Sequence, residues 1–210
     1  MQTMPGALWR ALQAGLLTTA LCAGALHAQP AASPPSPVQT EVTREADGTR
    51  TLRQSVVAAA PVTAVWEALS SSAGWQSWAA PFARVDLRRG GVIETSYRPD
   101  ARAGDAANIR NEIIALLPPR VMAIRNVQAP PSTAFDVPTF QSLHTVVLVE
   151  PIEPQRTRIT FAQPGYGEGT AFDGVLKHFT WGNAWTLEKL KERLERGPID
   201  WAALMRPAAK

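Results

Sequence analysis

A single cysteine, Cys22, occurs among 210 residues, and it lies inside an apolar N-terminal run. Only three histidines are present, His27, His144 and His178. Charge of neither sign dominates: 21 basic residues face 18 acidic ones. Each scarcity excludes a class of function. Met1 to Arg10 carries one basic side chain and no acid, Ala11 to Leu26 is apolar, and Leu26-His27-Ala28 precedes Gln29-Pro30. This is the pattern of a secretory signal peptide, expected over 1–28, with Gln29 first in a periplasmic or secreted mature chain. The run is too short and too alanine-rich for a transmembrane helix, so no stable membrane span is expected after cleavage. Cys22 would leave with the leader, and with it any disulfide, thiol nucleophile or thiolate metal site. Two distant histidines do not make a zinc site, so no metal or cofactor is expected. Losing Arg10 leaves 20 basic and 18 acidic residues. With no basic stripe, nothing points to nucleic acid.

Gln29 to Pro37 is rich in proline, alanine and serine, and 29–45 reads as a disordered linker. A domain is expected over 46–197. Thr49 to Ala58 reads as a strand, with Leu52, Val56 and Val57 among polar residues. Pro61 suits a helix start, and Val62, Val65, Trp66 and Leu69 follow at helical spacing, placing Trp66 in the core. A second short helix is expected around Trp75 and Trp78. Strands then fall at Ala83–Leu87 and Val92–Tyr97 about the turn Arg88-Arg89-Gly90-Gly91, at Asn108–Leu117 and Arg120–Val127 about Pro118-Pro119, and at Gln141–Glu150 and Arg156–Gln163 about Pro151–Pro154. The connection Gln128–Phe140 is long and proline-rich and holds two aromatic residues, which suggests a lid at a cavity entrance. The last element is a helix from Thr170 to about Arg196, opening on the capping-box-like Thr170-Ala171-Phe172-Asp173 and stopped by Gly197-Pro198. Its apolar stripe runs from Phe172 to Leu194. Trp181 and Trp185 fall on the opposite side, so the tail, 198–210, is expected to fold back over them on the last helix. The order is strand, two short helices, six strands and a long helix: an α+β arrangement with the helix on one face of an antiparallel sheet.

The segments PVTAVWEAL (61–69), WQSWAAP (75–81), VDLRRGG (85–91), IIALLPPRV (113–121) and WGNAWTLEKLKERL (181–194), in this order, resemble the START-like superfamily, also called SRPBCC or helix-grip proteins. The branch is similar to bacterial proteins related to the activator of Hsp90 ATPase homologue and to polyketide cyclases. The resemblance implies a helix-grip fold, a curved sheet of about seven strands around the long C-terminal helix, with a cavity between them. It also implies binding or conversion of apolar small molecules. Asn183 stands where many relatives carry a tryptophan.

The candidate wall of that cavity comprises Trp78, Phe82, Tyr97, Phe140 and Phe161, with Phe172, Leu176 and Phe179 from the helix stripe. Asn111, His144 and Asn183 are polar residues in apolar periodic segments, suited to orienting a polar group of a ligand. His144 is read as mid-strand, and His178 as lying off the apolar stripe. No nucleophile motif occurs, and no catalytic residue is assigned. Three functions remain. The first is an exported protein, monomeric or weakly dimeric, binding a small apolar or amphipathic molecule. The second is a cyclase, dehydratase or hydrolase using a cavity acid or base. The third is an interaction module of the cell envelope. A His144–carboxylate pair would favour the second, and a filled core with an exposed apolar patch the third.

Overall fold

The computed structural model describes residues 36–206. The leader, the linker residues before 36 and the last four residues of the tail lie outside the described residues. Among the described residues eight strands form one curved, open antiparallel sheet in the order β1-β2-β8-β7-β6-β5-β4-β3. A single long helix, α4 (Thr170–Arg196), lies across its concave face. The α+β helix-grip class expected from the sequence is the observed one, with one strand more than anticipated.

The additional strand is β1 (Gln39–Arg44), in a segment read as linker. It pairs with β2 (Arg50–Ala58) through a turn in which Asp47 accepts hydrogen bonds from the Thr49 amide (2.9 Å) and hydroxyl (2.7 Å). These bonds hold the Asp47 carboxyl below the usual carboxylate range. Gly48 supplies the left-handed residue of this turn, at φ 85°. As an edge strand, β1 leaves Val42 46% exposed, so no apolar alternation betrays it in the sequence.

Helix α1 (Val62–Ser70) buries Val65, Ala68 and Leu69. Trp66, expected in the core, is only half-buried against it. Helix α2 (Ser72–Gln76) is capped by Ser71, whose hydroxyl accepts from the Gly74 amide at 2.9 Å. The end of α1 would leave carbonyls without partners. The Trp75 indole donates to the Leu69 carbonyl (2.7 Å) and the Trp78 indole to the Ala68 carbonyl (2.9 Å). The spacing of the two tryptophans is thus the spacing that closes a helix end, and Trp78 is fully buried in doing so.

Strands β3 (Phe82–Val85), β4 (Val92–Ser96), β5 (Ile109–Leu117), β6 (Val121–Gln128), β7 (Thr145–Glu153) and β8 (Arg156–Tyr166) run as consecutive antiparallel neighbours. Strand β7 continues through Pro151-Ile152-Glu153, so the turn expected there tightens to Pro154-Gln155. The long connection after β6 holds a helix, α3 (Val137–Ser142), whose N-cap Asp136 accepts from the Thr139 amide at 2.8 Å. Gln141 and Ser142 belong to it and not to β7.

Helix α4 begins at Gly169 (φ 105°) with no side-chain cap, where a Thr170–Asp173 capping box was expected. Asp173 instead pairs with Arg50 at 2.8 Å. Near its other end the Lys191 ammonium donates to the Val57 carbonyl (2.9 Å) and the Glu195 carboxylate accepts from the Ala59 amide (2.9 Å), fastening the helix to the end of β2. Gly197 stops it at φ 98°. The segment beyond ends in α5 (Trp201–Leu204). Its bonds run to α2 and not to the back of α4: the Ile199 amide donates to the Ser77 carbonyl (2.9 Å) and the Trp201 indole to the Gln76 carbonyl (2.6 Å). The expected cover over Trp181 is absent, and that indole is 67% exposed.

Candidate functional site

Between α4 and the sheet lies a cavity of about 750 Å³, within the range of small-molecule sites. Its sheet wall follows from strand alternation, since every second side chain shares a face. Met122, Ile124 and Asn126 come from β6, Ile109 and Asn111 from β5, and Phe161 and Gln163 from β8. Trp78, just after α2, and Leu69 of α1 also line it. Phe179, Asn183 and Thr186 face it from α4. Tyr97, 49% exposed, stands at the opening with Trp181, and its ring meets Trp185 edge-on at 6.2 Å.

The Gln128–Phe140 connection lies along the cavity and contributes both of its rings. Phe135 and Phe140 meet at 5.3 Å, Phe140 stacks on Phe179 at 4.6 Å, and Phe135 lies 4.6 Å from the His178 ring. Loss of water in this cluster pushes the His178 imidazole below its ordinary pKa, which favours the neutral form.

Two polar groups of side chains punctuate the apolar wall. In the first, Gln163 is held from three sides. Its nitrogen donates to the Thr145 hydroxyl (2.8 Å), and its oxygen accepts from the Tyr166 hydroxyl (2.9 Å) and from Asn183 Nδ2 (3.0 Å). Burial pushes the Tyr166 phenol far above its ordinary pKa, so it remains a donor. In the second, Asn111 and Asn126 sit opposite each other in the β5–β6 register. Asn126 Nδ2 donates to Asn111 Oδ1 (3.2 Å) and to the carbonyls of Arg110 (3.2 Å) and Gln128 (2.9 Å).

Of the residues expected on the wall, Trp78, Tyr97, Asn111, Phe140, His144, Phe161, Phe179 and Asn183 line the cavity. Phe82, Phe172 and Leu176 do not. Phe82 alternates with Ala83, the buried residue of that pair on β3. Phe172 and Leu176 lie in the first turns of α4 and pack with Leu52, Tyr166 and Val175 in a cluster that adjoins the cavity through Phe140 and Phe179. The Phe172 ring covers Gly167, where a Cβ would come within 2.8 Å of it. His144 lies one residue before β7 and not in mid-strand. Arg125 on β6 pairs with Glu112 across the strands at 2.8 Å and stays off the cavity wall.

Several wall residues escaped the sequence reading. Asn126 and Gln163 share the period-two face of Met122 and Phe161, and that signal could have found them. His178, Trp181 and Trp185 lie outside the apolar stripe of α4 yet reach the cavity, because the wall wraps around more of the helix than the stripe covers. Among the described residues no group of three or more histidine, cysteine, aspartate or glutamate side chains is arranged to hold a metal ion. No described helix is long and apolar enough to cross a membrane.

A curved antiparallel sheet gripping a long C-terminal helix around an apolar cavity defines a helix-grip protein. The chain belongs to the family described as polyketide cyclase / dehydrase and lipid transport, whose model matches residues 49–195. This fits the START-like, polyketide cyclase-like branch that the sequence motifs resemble. Among curated proteins none matches the chain in sequence. Solved structures with a similar fold include the Aha1 dimer from Colwellia psychrerythraea, 18% identical over 70% of this chain and 97% of that one, with a TM-score of 0.54. The solution structure of CalU16 from Micromonospora echinospora is 20% identical over 82% of each chain, TM-score 0.53. Protein Ms6760 from Mycobacterium smegmatis is 23% identical over 83% of this chain and all (100%) of its own, TM-score 0.52. At these identities the likeness is one of fold.

Proposed function

We propose that this is an exported protein, of the periplasm or the exterior, that binds a small hydrophobic or amphipathic molecule between α4 and the sheet. The observation that carries the binding reading is the apolar cavity of about 750 Å³, walled by aromatic and aliphatic side chains with two fixed polar groups. A core filled by its own side chains would have no such space, since interiors pack to crystal-like density. The family description, polyketide cyclase / dehydrase and lipid transport, is in keeping with an apolar ligand. An acid–base enzyme would draw on His144 or His178. Among the described residues no carboxylate lines the cavity to pair with either, which favours binding over acid–base chemistry.

Native mass spectrometry of the protein purified from its own host tests both parts. The expected result is a chain beginning at Gln29 with a non-covalent small-molecule adduct that organic solvent strips away. A chain retaining Cys22 would remove the export reading. Protein that carries no adduct and does not bind the neutral dye N-phenyl-1-naphthylamine would remove the binding reading.

A further inference from the structure

We infer that the cavity takes an uncharged ligand whose apolar body bears a hydroxyl or similar hydrogen-bond donor, received by Asn183 Oδ1. The inference rests on the binding reading above and narrows its ligand class. Charged residues make up 19% of the chain. Yet among the described residues no aspartate, glutamate, lysine or arginine lines the cavity. A carboxylate, phosphate or ammonium entering it would lose its hydration and meet no fixed counter-charge, whereas a neutral group loses far less.

Asn183 sets the polar requirement. It is 9% exposed, in mid-helix, on the cavity wall. Its Nδ2 donates to Gln163 Oε1, and the fully buried Tyr166 hydroxyl, which has no other acceptor among the described residues, holds that oxygen in place while the Thr145 hydroxyl accepts from the Gln163 nitrogen. The amide of Asn183 is therefore fixed with its oxygen turned away from Gln163. Among the described residues that oxygen has no donor. It is also not one of the fully enclosed polar atoms left without a partner, and with Asn183 on the cavity wall it is the acceptor this residue has free for a ligand. A buried acceptor in an apolar wall discriminates in favour of a ligand that donates to it and against the same ligand without the donor.

The test is displacement of N-phenyl-1-naphthylamine from the purified protein at neutral pH. The competitors are dodecan-1-ol, dodecyl methyl ether, dodecanoate and dodecyltrimethylammonium, each below its aggregation concentration. Dodecan-1-ol is expected to compete best and the ether on the order of tenfold more weakly, as loss of one buried hydrogen bond predicts. The two ions should be weaker still. Asn183→Leu should remove the alcohol's advantage over the ether, read as the ratio of the two competitors measured on the same mutant. Dodecanoate or the ammonium matching the alcohol overturns the charge argument, and the alcohol equalling the ether in the native protein overturns the anchor even where Asn183→Leu does not fold. A mutant that keeps the alcohol's advantage overturns the assignment to Asn183. Binding of the dye with an inverted order sinks this inference alone. Absence of dye binding together with absence of any co-purified adduct sinks the binding reading with it.

Discussion

Trp75 and Trp78 each carry one N–H, and both direct it to the open carbonyls of α1. Trp78 also lines the cavity and is fully buried, while Trp66 on the neighbouring helix is only half-buried. Trp78→Ala is expected to cost about 3–5 kcal/mol, as for a core aromatic, and Trp66→Ala distinctly less. Urea denaturation of both variants checks the order, and equal losses would contradict the burial difference. His178 makes a second prediction. Its pKa is lowered in the folded state by partial loss of water beside Phe135 and Phe179, although the residue stays exposed, so the unfolded chain binds the proton first. The stability this residue contributes is complete above about pH 6.5 and declines as pH falls below it towards the folded pKa. The urea midpoint should drop less between neutral pH and about pH 5 in His178→Gln than in the native protein. Identical drops would show that the neutral imidazole is not favoured by the fold.

At the scale of elements, the C-terminal segment is a strap on α2 and not a cover for α4. It is tied by Ile199 to Ser77 and by Trp201 to Gln76, with Arg193 Nε donating to the Ser77 hydroxyl at 2.8 Å beside them. Trp201, Leu204 and Met205 reach the cavity rim. Ending the chain at Gly197 removes two hydrogen bonds and a half-buried Ile199, a loss of about 1–3 kcal/mol. A lower Tm and faster release of a bound dye are the expected readings. A truncated protein with native Tm and release rate would show that the strap carries no load. The same segment shows why its destination was not legible. Ile199-Asp200-Trp201 is apolar enough to pack somewhere, but the target is a pair of carbonyls and a small apolar surface on α2, over a hundred residues earlier in the chain. No local pattern encodes that pairing. Strand β1 was missed for a related reason, since an edge strand with both faces wet needs no alternation.

For the whole molecule, the cavity is the feature that separates a carrier from a filled fold. Gly182 allows it to be closed without disturbing the scaffold. It lies within α4 on the cavity wall, and a Cβ there would meet only the His178 imidazole, at 3.8 Å. Gly182→Leu fills open space and removes a helical glycine, whose presence costs roughly 0.5–1 kcal/mol relative to alanine. The variant is expected to hold or raise Tm while weakening dye binding. Weakened binding together with a fallen Tm would mean that the space is not open, and unchanged binding would mean that the dye sits elsewhere.

The helix-grip order was legible because period and punctuation are local. Alternating strands, the helix opened by Pro61 and the long helix stopped by Gly197 are all properties of neighbouring residues. So was much of the wall: the aromatic residues and the asparagines stood out as the wrong size or polarity for their segments. What sequence alone left open was which of them face the space. Phe172 and Phe179 lie on one helix stripe, yet Phe172 packs over Gly167 while Phe179, about two turns further along α4, lines the cavity. Asn126 and Gln163 acquired their roles only when β5 met β6 and α4 crossed β8, since a buried amide is defined by the partner that satisfies it. Composition and period determined that a sheet would grip a helix. The curvature of the sheet, and the cross-strand and helix–sheet contacts it permits, decided where the space is and which polar atoms open onto it.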